Sequence, residues 1–73
     1  MNCKQTLDKK QAGLNLYRLI DMSEYTYDDI ADFLGLRTSR VIYDWLGGKK
    51  LPTVENLMNL ALLLGVRIED ILF

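Results

Sequence analysis

"TYDDIADFLGLRTSRVIYDWLGGKKLP", residues 26–52, contains two short apolar-periodic segments separated by a glycine and closed by Gly-Gly and a proline. In the first segment Thr26 stands as an N-cap, and Asp28 and Asp29 place negative charge in the first turn, where the helix dipole favours it. Ile30, Ala31 and Leu34 form its apolar stripe, and Gly35 follows as the glycine expected just past a helix end. Leu36-Arg37 read as a tight turn. Thr38 or Ser39 then caps a second segment, in which Val41, Ile42 and Trp45 point to the core. This helix stops at Gly47-Gly48, and Pro52 cannot continue it. Two helices of about eight residues joined through a glycine do not lie comfortably antiparallel, so the spacing predicts a steep crossing of the helix-turn-helix kind.

Such a pair cannot bury both apolar stripes by itself, and the flanking sequence supplies the rest. From about Ala12 to Met22, Leu16, Leu19 and Ile20 recur at i, i+3, i+4, the pattern of an amphipathic helix. Thr53 caps a fourth helix carrying Leu57, Leu60, Ala61 and Leu64, ended by Gly65. Ile68, Ile71 and Leu72 give a last short helical turn. The expected fold is therefore all-α: a compact bundle of about five short helices, with helices 2 and 3 as the helix-turn-helix. Residues 1–9 read as a flexible N-terminal tail and residues 10–73 as the domain.

Composition agrees with one small globular domain. Of 73 residues, 49% are apolar and 26% charged, which places the chain away from disordered sequences. The single cysteine, Cys3, rules out an intramolecular disulfide and fits a reducing cytoplasm. The opening residues carry no apolar signal-peptide region, and the longest apolar run, Leu60 to Leu64, is far too short to span a bilayer. There is no histidine. With it go His-based catalytic groupings and most zinc sites. No Gly-rich phosphate loop is present either. The expectation is a non-enzyme without metal or cofactor.

The net charge of −1 hides an uneven distribution. Residues 37–50 hold Arg37, Arg40, Lys49 and Lys50 against Asp44 alone, a balance of +3, whereas the segments on either side are each −2. Positive charge is concentrated on the third helix and the loop after it, which points to a negatively charged partner.

From about Leu14 onward these features together resemble the lambda-repressor-like, or Cro/XRE-type, helix-turn-helix domain. The elements are the Thr26 cap, Ile30-Ala31, Leu34-Gly35, "VIYDW", "GKKLP", the "LxxLAxxLGV" of the fourth helix and the terminal "EDIL". Two departures stand out: the turn after Gly35 is one residue longer than the common pattern, and Arg67 occupies a position where Ser or Thr is frequent. The resemblance implies sequence-specific binding of double-stranded DNA by a transcriptional regulator, often a dimeric repressor. The third helix, about residues 39–46, would lie in the major groove.

By position, the resemblance gives Ser39, Arg40, Tyr43 and Asp44 as base contacts, with Thr38 near the backbone and Lys49 and Lys50 on phosphates. Arg37 and Thr26 complete the expected phosphate contacts, Thr26 because a helix N-terminus binds anions, although Asp28 and Asp29 oppose it. The residues themselves allow more than one reading. Arg40 suits the O6/N7 edge of guanine, or is a solvated arginine at the disfavoured end of its helix. Tyr43 meets sugar and thymine methyl groups, or belongs partly to the core. Asp44 accepts from cytosine, or is a simple solvated charge or the partner of Arg40 one turn earlier. Lys49 and Lys50 neutralise phosphates, helped by the close approach that Gly47-Gly48 allow, or occupy a solvated turn. Trp45 reads as core. Met58, Leu62, Leu63, Leu72 and Phe73 leave apolar surface for a homodimer. The competing class is a protein-interaction module on the same fold, antitoxin-like or regulatory, using the Leu-rich fourth helix.

Overall fold

In the computed structural model, which describes residues 6–73, five helices follow one another with no strand among the described residues. They are α1 (Lys9–Asp21), α2 (Tyr27–Leu34), α3 (Arg40–Leu46), α4 (Val54–Leu64) and α5 (Ile68–Leu72). The fold is all-α, as the periodicity predicts. The first five residues of the expected tail, Cys3 among them, lie outside the described residues.

Helix α1 begins earlier than its apolar pattern. Asp8 caps it, one carboxylate oxygen accepting from the N–H groups of Lys10 at 3.0 Å and Gln11 at 3.2 Å. The exposed first turn carries no core residue, so periodicity alone does not reveal it. Part of the segment expected as tail is thus helix cap and helix.

The chain stops each helix with local chemistry. At α2, Thr26 and Asp29 form a reciprocal capping box: the Thr26 hydroxyl accepts from Asp29 N–H, and the Asp29 carboxylate accepts from Thr26 N–H. Gly35 takes the left-handed conformation at φ 74°, and the Leu36 N–H returns to the Ala31 carbonyl at 2.8 Å. Helix α4 repeats this ending with Gly65 and Val66. In both, the residue after the glycine packs against the core, which completes the C-terminal motif. At α5 no Ser or Thr is available, and the Asp70 carboxylate instead accepts from the Arg67 N–H at 2.9 Å.

Leu16, Ile30, Ile42, Leu60 and Ile71, one from each helix, are almost fully buried and meet in a single core with Ile20, Trp45 and Leu57. Helix α1 packs on α3 and α5, while α4 packs on α5 and α2. Helices α2 and α3 are thus each held by a different neighbour, as the sequence requires of a pair too small to be stable alone. Where α1 crosses α3, Gly13 is buried: a Cβ there would stand 2.5 Å from the Trp45 carbonyl oxygen and 2.6 Å from that of Leu46. Only a glycine lets the two backbones come this close. Asn15 adds a bond from α1 to α5, its amide donating to the Ile71 carbonyl at 3.1 Å.

Candidate nucleic-acid interface

Burial fixes the orientation of α3. Ile42 is 0% and Trp45 3% exposed, so the opposite face carries Arg40, Tyr43 and Asp44 outward at i, i+3, i+4. Trp45 is core, in agreement with the spacing. Arg40 is exposed, Tyr43 is 54% exposed, and Ser39 and Asp44 are half-buried. The four base-contact candidates therefore share one side of one element.

The helix starts without the expected serine cap. Ser39 makes no side-chain capping bond, and the Thr38 hydroxyl accepts from the Arg40 N–H at 3.2 Å. Thr38 takes this role because Ser39 is itself in helical conformation (φ −78°, ψ 0°), which points its hydroxyl away from the free N–H groups. Arg40 consequently sits in the first turn, at the positive end of the helix dipole, together with exposed Arg37 just before it. Neither charge is offset by a carboxylate: among the described residues the ion pairs are Lys50–Asp44 and Arg67–Asp70. Two uncompensated cations at a helix start are poorly placed for stability and well placed for an external anion.

Asp44 differs from the expected pairing with Arg40. Its carboxylate lies 3.7 Å from the Lys50 ammonium, because the chain turns back after α3: the Lys49 N–H bonds to the Asp44 carbonyl at 2.9 Å. The turn that folds the loop over the helix end delivers Lys50 to Asp44. The pair is largely solvated, so it contributes little to stability. Lys49 stays exposed and unpaired among the described residues.

Gly48 also makes a close approach within the fold. Gly48 has φ 75°, and a Cβ on it would meet the Lys10 Cα and Cγ at 2.9 Å. The close approach is to α1, inside the molecule. Thr26, expected as a phosphate contact at a helix N-terminus, is exposed. In the capping box its N–H donates to Asp29 and its hydroxyl oxygen accepts, which leaves the hydroxyl proton beside two carboxylates.

Tyr43 makes one contact that its spacing does not reveal. Its ring meets that of Tyr27 edge-on, with centroids 5.1 Å apart and planes at 60°, a favourable aromatic geometry. Partial burial, then Tyr17, Tyr43 and Asp21, push the Tyr27 phenol above its ordinary value. Three tyrosines from three helices thus lie close together, and α2 touches α3 through two of them. A shallow open depression beside them is lined by Ile20, Asp21, Ser23, Tyr25, Thr26 and Tyr27.

Val54, Met58 and Leu62 of α4 are 71%, 57% and 73% exposed and stand at i, i+4, i+8 on one stripe. Of the expected dimer residues, Leu62 and Phe73 are exposed, whereas Leu63 and Leu72 pack against the core. Both leucines are only partly buried. Among the described residues no helix is long and apolar enough to cross a membrane, and no three His, Cys, Asp or Glu side chains gather as metal ligands would.

No protein-family profile, curated protein or solved structure matches the chain.

Proposed function

We propose that this chain is a sequence-specific double-stranded DNA-binding domain acting in the cytoplasm as a transcriptional regulator, a repressor by simple occupancy. Helices α2 and α3 act as a helix-turn-helix, and α3 enters the major groove. The observation that carries this reading is the composition of the exposed side of α3 and its flanks. Arg37, Arg40 and Lys49 have no carboxylate partner among the described residues, in a chain whose total charge is negative. Arg40 and Tyr43, with Ser39 and Asp44 beside them, read base edges. Arg37, Thr38, Lys49 and Lys50 hold the sugar-phosphate backbone and set register. Thr26 joins this set through its hydroxyl proton, because in the capping box the hydroxyl oxygen only accepts. The domain carries out no chemistry of its own.

The test is a salt series. Three cations on phosphates, Arg37, Lys49 and Lys50, give a log K against log salt slope near −3. Binding to a duplex that is insensitive to salt overturns the proposal.

The second reading is a protein-interaction module that uses the α4 stripe. The exposure of Val54, Met58 and Leu62 favours it, since apolar side chains aligned on one helix face are a common docking surface. A second copy of the chain on the same stripe would reconcile the two readings, giving a dimer that reads two half-sites about 34 Å apart.

A further inference from the structure

Lys10 and Gly48 are distant in sequence and touch in the fold. A Cβ on Gly48 would lie 2.9 Å from both Cα and Cγ of Lys10, so the lysine stem runs along the loop that carries Lys49 and Lys50. Lys10 is exposed, and no carboxylate lies within ion-pair distance of it among the described residues. The two nearby acids are otherwise engaged. Asp8 accepts from the backbone N–H groups of Lys10 and Gln11, and Asp44 faces Lys50. The result is a basic edge assembled from two separate segments, with the α1 lysine laid against the loop after α3.

We infer that Lys10 binds the phosphate backbone of a DNA duplex alongside Lys49 and Lys50, extending the clamp from the α3–α4 loop onto the start of α1. This rests on the DNA-binding reading above. Gly48 then has a double function. It adopts the left-handed turn that ends α3, and by lacking a Cβ it lets the Lys10 stem lie close enough for three ammonium groups to follow one strand. Lys50 is partly neutralised by Asp44, so Lys10 and Lys49 carry most of the free charge at this edge. A lysine here also meets the carbonyl end of α3, which a cation stabilises. That purely structural role predicts a different behaviour and is separable by experiment.

The experiment measures binding of the full chain to a mixed-sequence duplex about two helical turns long, across a salt series. It compares the wild type with Lys10→Met, Lys10→Arg and Lys49→Ala, each with its melting temperature. Methionine keeps the apolar stem on Gly48 and removes only the charge. The expected result is that Lys10→Met flattens the log K against log salt slope by about 0.9, as Lys49→Ala does. Across a fourfold rise in salt that is about a 3.5-fold smaller loss of affinity. Lys10→Arg keeps the wild-type slope. If Lys49→Ala flattens the slope and Lys10→Met does not, the inference is overturned while the DNA reading stands, whether or not Lys10→Met melts earlier. If the wild type shows no salt-dependent duplex binding, both fall together.

Discussion

Gly13 and Trp45 face each other across the α1–α3 crossing with no room for another atom between them: a Cβ on Gly13 would stand 2.5 Å from the Trp45 carbonyl oxygen. This crossing sets the position of the candidate recognition helix, because α1 is the main support of α3.

Gly13→Ala therefore destabilises the domain, although the same change in an open helix stabilises it by about 1 kcal/mol. Backbone carbonyls cannot rotate away as a side chain does, so the overlap forces α1 and α3 apart, at a cost of about 1–3 kcal/mol or more. Thermal unfolding of the variant shows the sign directly. A melting temperature at or above that of the wild type would mean that the crossing is looser than described.

Ile42 tests the core beneath the interface. It is fully buried at the junction of the helices, and Ile42→Ala should cost about 2–5 kcal/mol. That is a large share of the stability available to so small a domain. Denaturant titration measures it, and a cost under about 1 kcal/mol would contradict the packing.

Thr26 and Asp29 cap α2 reciprocally. Each alanine substitution should cost about 1 kcal/mol: Thr26→Ala removes the acceptor of the Asp29 N–H and Asp29→Ala the acceptor of the Thr26 N–H, so the double variant should lose both bonds and approach the sum.

The Tyr27 phenol is held above its ordinary value of 10.0, first by partial burial and then by Tyr17, Tyr43 and Asp21. The folded state therefore prefers the neutral phenol. Its contribution to stability is complete below the unfolded value and is lost as pH rises through the folded one. Melting temperatures followed upward from pH about 9 should fall less steeply in Tyr27→Phe than in the wild type. An identical fall would assign the alkaline loss to other groups.

Arg40 and Lys49 divide reading from positioning. Arg40→Ala should weaken the preferred sequence by about 1–3 kcal/mol and leave mixed-sequence binding nearly intact, whereas Lys49→Ala should weaken both alike. Competition binding with the two duplex types separates these outcomes. Equal losses in both variants would remove the division.

The features legible in the sequence were those that local chemistry decides. Thr26, Gly35, Thr53 and Gly65 mark helix ends through bonds made within a few residues, and they do so in the structure. The stripes of Ile30-Ala31, Ile42-Trp45 and Leu57-Leu60-Ala61 are buried as their spacing demands. What the sequence did not reveal depends on which segments meet. Gly13 looks like a weak point in a helix until the carbonyls of α3 are placed against it. Gly48 reads as a loop glycine until Lys10 is placed against it. The reassignment of Asp44 from Arg40 to Lys50 follows from a turn whose path is set by the Lys49 N–H, which no helical spacing encodes. Tyr27 and Tyr43 belong to separate elements, and only the packing of those elements brings their rings together. An interior glycine in an otherwise good helix was the one available signal of the α1–α3 crossing.

The central claim is that the exposed face of α3 reads duplex DNA. Enrichment of the purified chain's targets from a random duplex pool at moderate salt, followed by sequencing, tests it most directly. The account predicts an enriched motif, and two inverted half-sites about ten base pairs apart if the chain pairs on the DNA. A pool that stays unenriched even at low salt would contradict it and assign the exposed apolar stripe of α4, rather than α3, as the working surface.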